Sequence, residues 1–315
     1  MKQIYDGMIG LAVGDALGVP VEFKSRREIA GHPVVSMRGY GTHNQPRGTW
    51  SDDTSLTLAL LDSIGCLGSI RYTDIMDKFS SWLLYGDYTA SGEVFDVGNT
   101  TSRAIMNYGR GMNPLACGGG CDHENGNGSL MRILPLAYYL CGHKELDINA
   151  RMRLIHDISS LTHRHRRSLV GCGIYILTAM ELIEGTDSLM DCVKRGVCKA
   201  FNYYDNIEEN EISSYDRIRQ LDQFMKLPEH DISGSGYVVH TLEAALWCLL
   251  NTYTFEQCVL KAVNLGDDTD TVGAVTGGLA GIYYGASGIP EAWLDVVARR
   301  GYIKELCGRM QEKIM

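Results

Sequence analysis

Ser51-Asp52-Asp53-Thr54 runs directly into Leu56, Leu58, Leu60, Leu61 and Ile64. Asp267-Asp268-Thr269-Asp270-Thr271 runs into Val272, Ala274, Val275 and a small-residue stretch ending at Tyr284. Each acidic block stands where a buried helix should begin. Carboxylates crowded at such a place repel one another unless something neutralises them. The usual neutraliser is a hard divalent cation, which prefers oxygen ligands. The two blocks lie at opposite ends of the chain. If they meet, the fold must bring both ends together around metal.

The 315 residues are 45% hydrophobic with only 7 Pro, which supports a sizeable core in one large domain or two small ones. A net charge of -9 without a dense basic run argues against a dedicated nucleic-acid binder, but leaves small anionic ligands open. Asp6 and Asp15 interrupt the apolar N-terminal stretch, which argues against a signal peptide. No stretch reads as the roughly 18 apolar residues of a spanning helix. Most of the 10 Cys fall in apolar helical runs, as small buried hydrophobes of a reduced chain. A cytoplasmic monomer is expected, with no membrane and no nucleic-acid partner.

Strand patterns are hard to find. Helical periodicity predicts helices over residues 2–17, 54–67, 72–84, 99–108, 128–139, 150–161, 166–184, 187–202, 237–251, 255–264, 271–284 and 291–313. Gly-rich loops at 38–49, 86–98 and 111–128 are candidate site loops, since function concentrates where a rigid scaffold presents loops. The stretch 203–232 is polar and irregular, and no interdomain linker or fixed repeat is found. The expectation is one all-α domain over residues 1–315.

At a helix start, the adjacent Asp52 and Asp53, and Asp268 and Asp270 two apart, can fan toward a shared point. Ser51 and Thr271 add neutral oxygens, and Glu22 follows the end of the first helix in a loop. Five carboxylates with two hydroxyls suit two hard cations, magnesium or manganese. Either block alone reads better as ordinary helix caps; two blocks before buried helices favour ligands. Asp15 and Asp62 read as lone structural acids, and Asp267 as a cap. Gly126, Asn127, Gly128 and Ser129, opening the helix predicted at 128–139, offer free N–H groups to an anion, though such a run is also an ordinary turn. Cys117, Cys121 and His123 fit zinc only loosely, and Gly118, Gly119 and Gly120 better suit a loop that hugs a ligand. His163 is either a ligand contact or a helix-terminal charge. Tyr237 suits stacking on a base or sugar, or the core. The chain holds neither a Gly-x-Ser-x-Gly elbow nor a P-loop.

Taken in order, these segments resemble the ADP-ribosylglycohydrolase family along nearly the whole chain. They are Gly10 to Gly18 with Glu22; Trp50-Ser51-Asp52-Asp53-Thr54; Phe95-Asp96-Val97-Gly98-Asn99-Thr100; Gly126 to Arg132; Leu161-Thr162-His163; Ser235-Gly236-Tyr237; and Asn264 to Thr271. The resemblance implies a compact all-α fold and a binuclear magnesium or manganese centre on Ser51, Asp52, Asp53, Asp268, Asp270 and Thr271. It implies Glu22 near metals and substrate, Asp96 and Asn99 near the ribose, and diphosphate contacts from Gly126, Asn127, Gly128 and Ser129. His163 and Tyr237 would line the ADP-ribose cleft. The implied reaction releases ADP-ribose from a modified protein, with Glu22 and Asp96 as catalytic acids and arginine as the favoured linkage. Serine, O-acetyl-ADP-ribose and nucleic-acid linkages stay open, as do a two-metal phosphohydrolase and a non-catalytic ADP-ribose-binding protein.

Overall fold

The computed structural model describes residues 3–207 and 209–314. Lys2, with which the first expected helix begins, lies outside them. The described residues form sixteen α-helices joined by loops and short 3-10 turns, with two isolated β-bridges and no strand. In order these are α1 (Ile4–Gly18), α2 (Arg26–Gly31), α3 (Asp52–Leu67), α4 (Tyr72–Tyr85), α5 (Asn99–Gly109), α6 (Pro135–Gly142), α7 (Ile148–Ser160) and α8 (Arg166–Glu184). Then follow α9 (Leu189–Asn206), α10 (Asp216–Arg219), α11 (Leu221–Phe224), α12 (Val238–Leu250), α13 (Phe255–Val263), α14 (Thr269–Tyr284), α15 (Glu291–Leu294) and α16 (Arg300–Ile314).

The centre of the molecule is the pair α1 and α14. All of α1 except Tyr5 and Asp6 is buried, and α14 is buried from Thr269 to Ile282. The segment Ile4–Val21 is long and apolar enough to cross a membrane, with a mean hydropathy of 1.3, contrary to the expectation that no stretch would be. Its apolarity has a physical reason inside the fold: 89% of it is buried, and a helix apolar all round needs partners all round. Glycines let the two backbones meet. A Cβ on Gly14 would lie 2.0 Å from the Gly273 carbonyl oxygen, and one on Gly10 would lie 2.4 Å from that of Gly277. This close approach carries the start of α14 to the end of α1, while α3 and α13 pack alongside.

Two expected helices differ for identifiable reasons. The helix predicted at 128–139 begins only at Pro135. Proline can open a helix but has no N–H to continue one. The segment before it is apolar because Leu130, Ile133 and Leu134 are buried, not because it is helical. The helix predicted at 291–313 is two helices. Between them the backbone turns to Gly48: Ala298 N–H donates to its carbonyl at 2.9 Å, and Arg299 takes φ +46°. Gly118 and Gly119 pack against the chain itself: Gly119 N–H donates to Thr162 O at 2.9 Å, and a Cβ on Gly118 would lie 2.3 Å from Ser160 O.

Candidate active site

The acidic blocks meet. Ser51 is the N-cap of α3, and its hydroxyl accepts from Asp53 N–H, leaving Asp52 and Asp53 in the first turn. Asp268 is the N-cap of α14, yet its side chain caps nothing. It turns into the cluster, where Asn127 Nδ2 donates to its Oδ2 at 2.9 Å. Gly236 leaves room for this, since a Cβ there would lie 2.7 Å from the same oxygen. Carboxylate oxygens lie within 4.8 Å of one another in the sets Asp15, Asp53 and Asp270; Glu22, Asp268 and Asp270; and Asp52, Asp53 and Asp96. These sets share members, so both ends of the chain contribute to one connected site. Exposed Asp267 is in none of them.

The cluster is short of donors. Ser51 Oγ donates to Asp53 Oδ2 at 2.9 Å and Thr271 Oγ1 donates to it at 3.3 Å. Asp53 Oδ1, Asp268 Oδ1 and Asp270 Oδ2 are buried without a hydrogen-bond partner among the described residues. Leaving a buried carboxylate oxygen unsatisfied costs on the order of 1–3 kcal/mol or more, so these atoms call for a partner. Burial raises the pKa of Asp52, Asp53 and Asp270 well above the usual range, and neighbouring carboxylates add to the rise. Burial also raises Asp96 and Asp268. Buried, oxygen-only groups with orphaned lone pairs can hold a hard cation.

Three contributors had not been singled out from the sequence for this role. Asp15, read as a lone structural acid, is wholly buried and accepts from Ser51 N–H, Thr54 N–H and Thr54 Oγ1, fixing the start of α3 from α1. It is also a member of the cluster. His43, in the Gly-rich loop 38–49, shares a short hydrogen bond with the Glu22 carboxylate. Glu22 is buried and pushed up to about 7 by burial, against the lowering effect of that bond. Asn127, taken as a phosphate contact, holds Asp268 and also donates to Thr241 Oγ1 at 2.9 Å.

The expected ligand-contact residues are placed less uniformly. Asp96 joins the cluster with φ +51°, while Asn99 is exposed in the first turn of α5. Gly126, Asn127, Gly128 and Ser129 do not open a helix, so the helix-start argument for an anion there falls. Wholly buried Arg132 instead donates to the Gly128 carbonyl at 3.1 Å and holds this loop from below. The Ser129 hydroxyl is taken up in the core, accepting from Ser159 Oγ at 2.8 Å. His163 is buried under the loop, a Cβ on Gly128 lying 2.6 Å from its ring, and burial lowers its pKa to about 3. Tyr237 is half-buried at the start of α12, bridged to Gly126, with the Arg167 guanidinium 5.7 Å from its ring centre.

The family profile described as ADP-ribosylglycohydrolase matches residues 1–315. An ADP-ribosylarginine hydrolase of Serratia proteamaculans is 30% identical, over 96% of this chain and 77% of the relative. The ADP-ribosyl-[dinitrogen reductase] glycohydrolase of Rhodospirillum rubrum is 34% identical, over 91% of this chain and 87% of the relative. A solved structure titled an ADP-ribosylglycohydrolase-related protein complex superposes with a TM-score of 0.80 at 31% identity, covering 99% of this chain and 97% of that one. A match along the whole length, in a fold whose two ends meet at one carboxylate site, makes this chain a member of the ADP-ribosylglycohydrolase family and a hydrolase of glycosidic bonds.

Proposed function

We propose that the protein hydrolyses the N-glycosidic bond between ADP-ribose and an arginine side chain of a modified protein, releasing ADP-ribose. Two divalent cations, magnesium or manganese, would be held by Ser51, Asp52, Asp53, Asp268, Asp270 and Thr271. The observation that carries the reading is the trio of buried, unpartnered oxygens on Asp53, Asp268 and Asp270, drawn from both acidic blocks. The arginine linkage is supported by relatives named for it at 30% and 31% identity. Bound cations supply polarisation of the ribose hydroxyls and of a water.

The rest falls to the chain's own residues. Glu22, held by His43 and by Thr42 Oγ1, which donates to the Glu22 carbonyl at 2.7 Å, takes a proton from the attacking water. Asp96, whose burial favours the protonated form, gives a proton to the departing guanidine nitrogen. The C1″–N bond breaks and a C1″–O bond forms, through a transition state of oxocarbenium character. Asn127 fixes Asp268, and Asp15 fixes the start of α3.

The test is a panel of ADP-ribosylated arginine peptide, ADP-ribosylated serine peptide and O-acetyl-ADP-ribose, each with magnesium. Free ADP-ribose released fastest from arginine is expected. Release of AMP would point to pyrophosphate cleavage and refute the reading, as would binding of ADP-ribose without turnover of any substrate.

A further inference from the structure

The carboxylate cluster has two flanks. One runs through Asn127 and Gly236, against Asp268, to Tyr237, which the family resemblance assigns to the ADP-ribose cleft. The other carries three rings. Phe23, next to Glu22, stands edge-on to His43 with ring centres 5.9 Å apart. His43 in turn lies 5.1 Å from Phe95, next to Asp96. Phe23 is 68% exposed, so its ring gains little from burial where it stands.

Its backbone is also costly. Phe23 has φ +63°, a region that bulky residues avoid. It is held there by its N–H donating to Asp267 O at 2.7 Å, while Asp267 (φ +65°) donates its own N–H to Lys24 O at 2.8 Å. Around the same flank Tyr40 (φ +65°), Asn44 (φ +53°) and Asp96 (φ +51°) sit in the same region. Gly41 keeps loop 38–49 against Pro20, where a Cβ would lie 2.0 Å from the carbonyl oxygen. The molecule thus holds an aromatic ring in water, in an unfavourable conformation, beside two site carboxylates.

We infer that Phe23 and Phe95, bridged by His43, form the acceptor-side subsite, on which the guanidinium of the modified arginine lies while its glycosidic bond sits over Glu22 and Asp96. This rests on the arginine-linked reading above and names the residues that select that linkage. A guanidinium is a planar, weakly hydrated cation that stacks on aromatic faces, and the acidic cluster beside the rings favours positive charge. A serine hydroxyl or an acetyl ester brings neither charge nor a planar cation. His43, tied to Glu22, fixes the spacing between the rings and the carboxylate.

The experiment uses ADP-ribosylated agmatine as substrate and calorimetric binding of free ADP-ribose as control, on wild type, Phe23→Leu, Phe23→Tyr and Phe95→Leu. The leucine variants should raise KM for ADP-ribosylated agmatine about 3- to 30-fold, the range of a partly desolvated cation–π contact. The ADP-ribose dissociation constant should stay unchanged, and Phe23→Tyr should keep the wild-type KM. An unchanged KM in both leucine variants overturns the inference alone. So does a loss of ADP-ribose affinity in step with KM, which would mark the rings as structural. Wild type that releases no ADP-ribose from agmatine overturns the inference and the arginine reading together.

Discussion

At the C-terminal end of α3, Asp62 accepts from Lys78 Nζ at 2.8 Å, Tyr88 OH at 2.9 Å and Arg309 Nη1 at 3.0 Å. At the N-terminal end of the same helix, Asp52 and Asp53 face Asp15, Asp96 and Asp270 and, among the described residues, form no ion pair, the buried Arg132 acting on Asp52 only through its field. Burial opposes ionisation at both ends. Around Asp62 the bonds from Lys78 and Tyr88 outweigh it and hold the carboxyl below its usual range. Around Asp53 the bond from Ser51 offsets burial only in part, and around both Asp52 and Asp53 neighbouring carboxylates add to the rise. The contrast supports the proposal that the acids at the start of α3 leave the place of a counter-charge, filled at Asp62 by Lys78 and Arg309, to a bound cation.

The sharpest way to break this contrast is to remove one acid from each end. Asp53→Ala should lower kcat by about 10³-fold or more, the scale of losing a principal electrostatic contributor, with magnesium affinity lost in parallel. Asp62→Asn should leave kcat within about 2-fold. A comparable loss from both would mean the two ends are not different in kind.

Stability should respond in the opposite order. Asp62→Asn gives up bonds to charged partners and should cost about 1–3 kcal/mol in denaturant unfolding. Asp53→Asn in chelator-treated protein at pH 8 relieves crowded negative charge and should raise Tm. A fall there would show that the protein itself compensates Asp53.

The smaller effect is the pH profile. Burial pushes Asp15 and Glu22 to about 7, from ordinary values near 4. An acid raised on folding gives stability below its unfolded pKa and loses it as pH rises through the folded one. Chelator-treated protein should therefore lose Tm between about pH 4 and 8, and magnesium should flatten the slope. Asp62, lowered on folding, acts in the other direction: its stability is present above the usual carboxylate range and is lost as pH falls through its lowered value. Asp62→Asn should reduce the loss of Tm on the acid side only.

Much of this contrast was legible in the sequence. Residues 166–184 were delimited as a helix by periodicity and are α8. The acidic blocks gave both helix starts to within about two residues. What escaped was tertiary. Leu130 to Leu134 look like part of a helix because burial, not only helicity, selects apolar residues. The glycines at 10 and 14 and at 273 and 277, spaced by four, were a signal for the α1–α14 approach, but the spacing alone names no partner. His43 sat in a loop marked as a candidate, yet its bond to Glu22 depends on loop 38–49 folding back on Pro20. Asp15 looked isolated because its partners, Ser51 and Thr54, come more than thirty residues later.

The central claim is that the two acidic blocks are halves of one metal centre. The most direct measurement is an anomalous difference map from crystals grown with manganese. Two peaks are expected, both between the start of α3 and the start of α14, within bonding distance of oxygens on Asp53 and Asp270. Peaks only elsewhere, or none at saturating manganese, would contradict it.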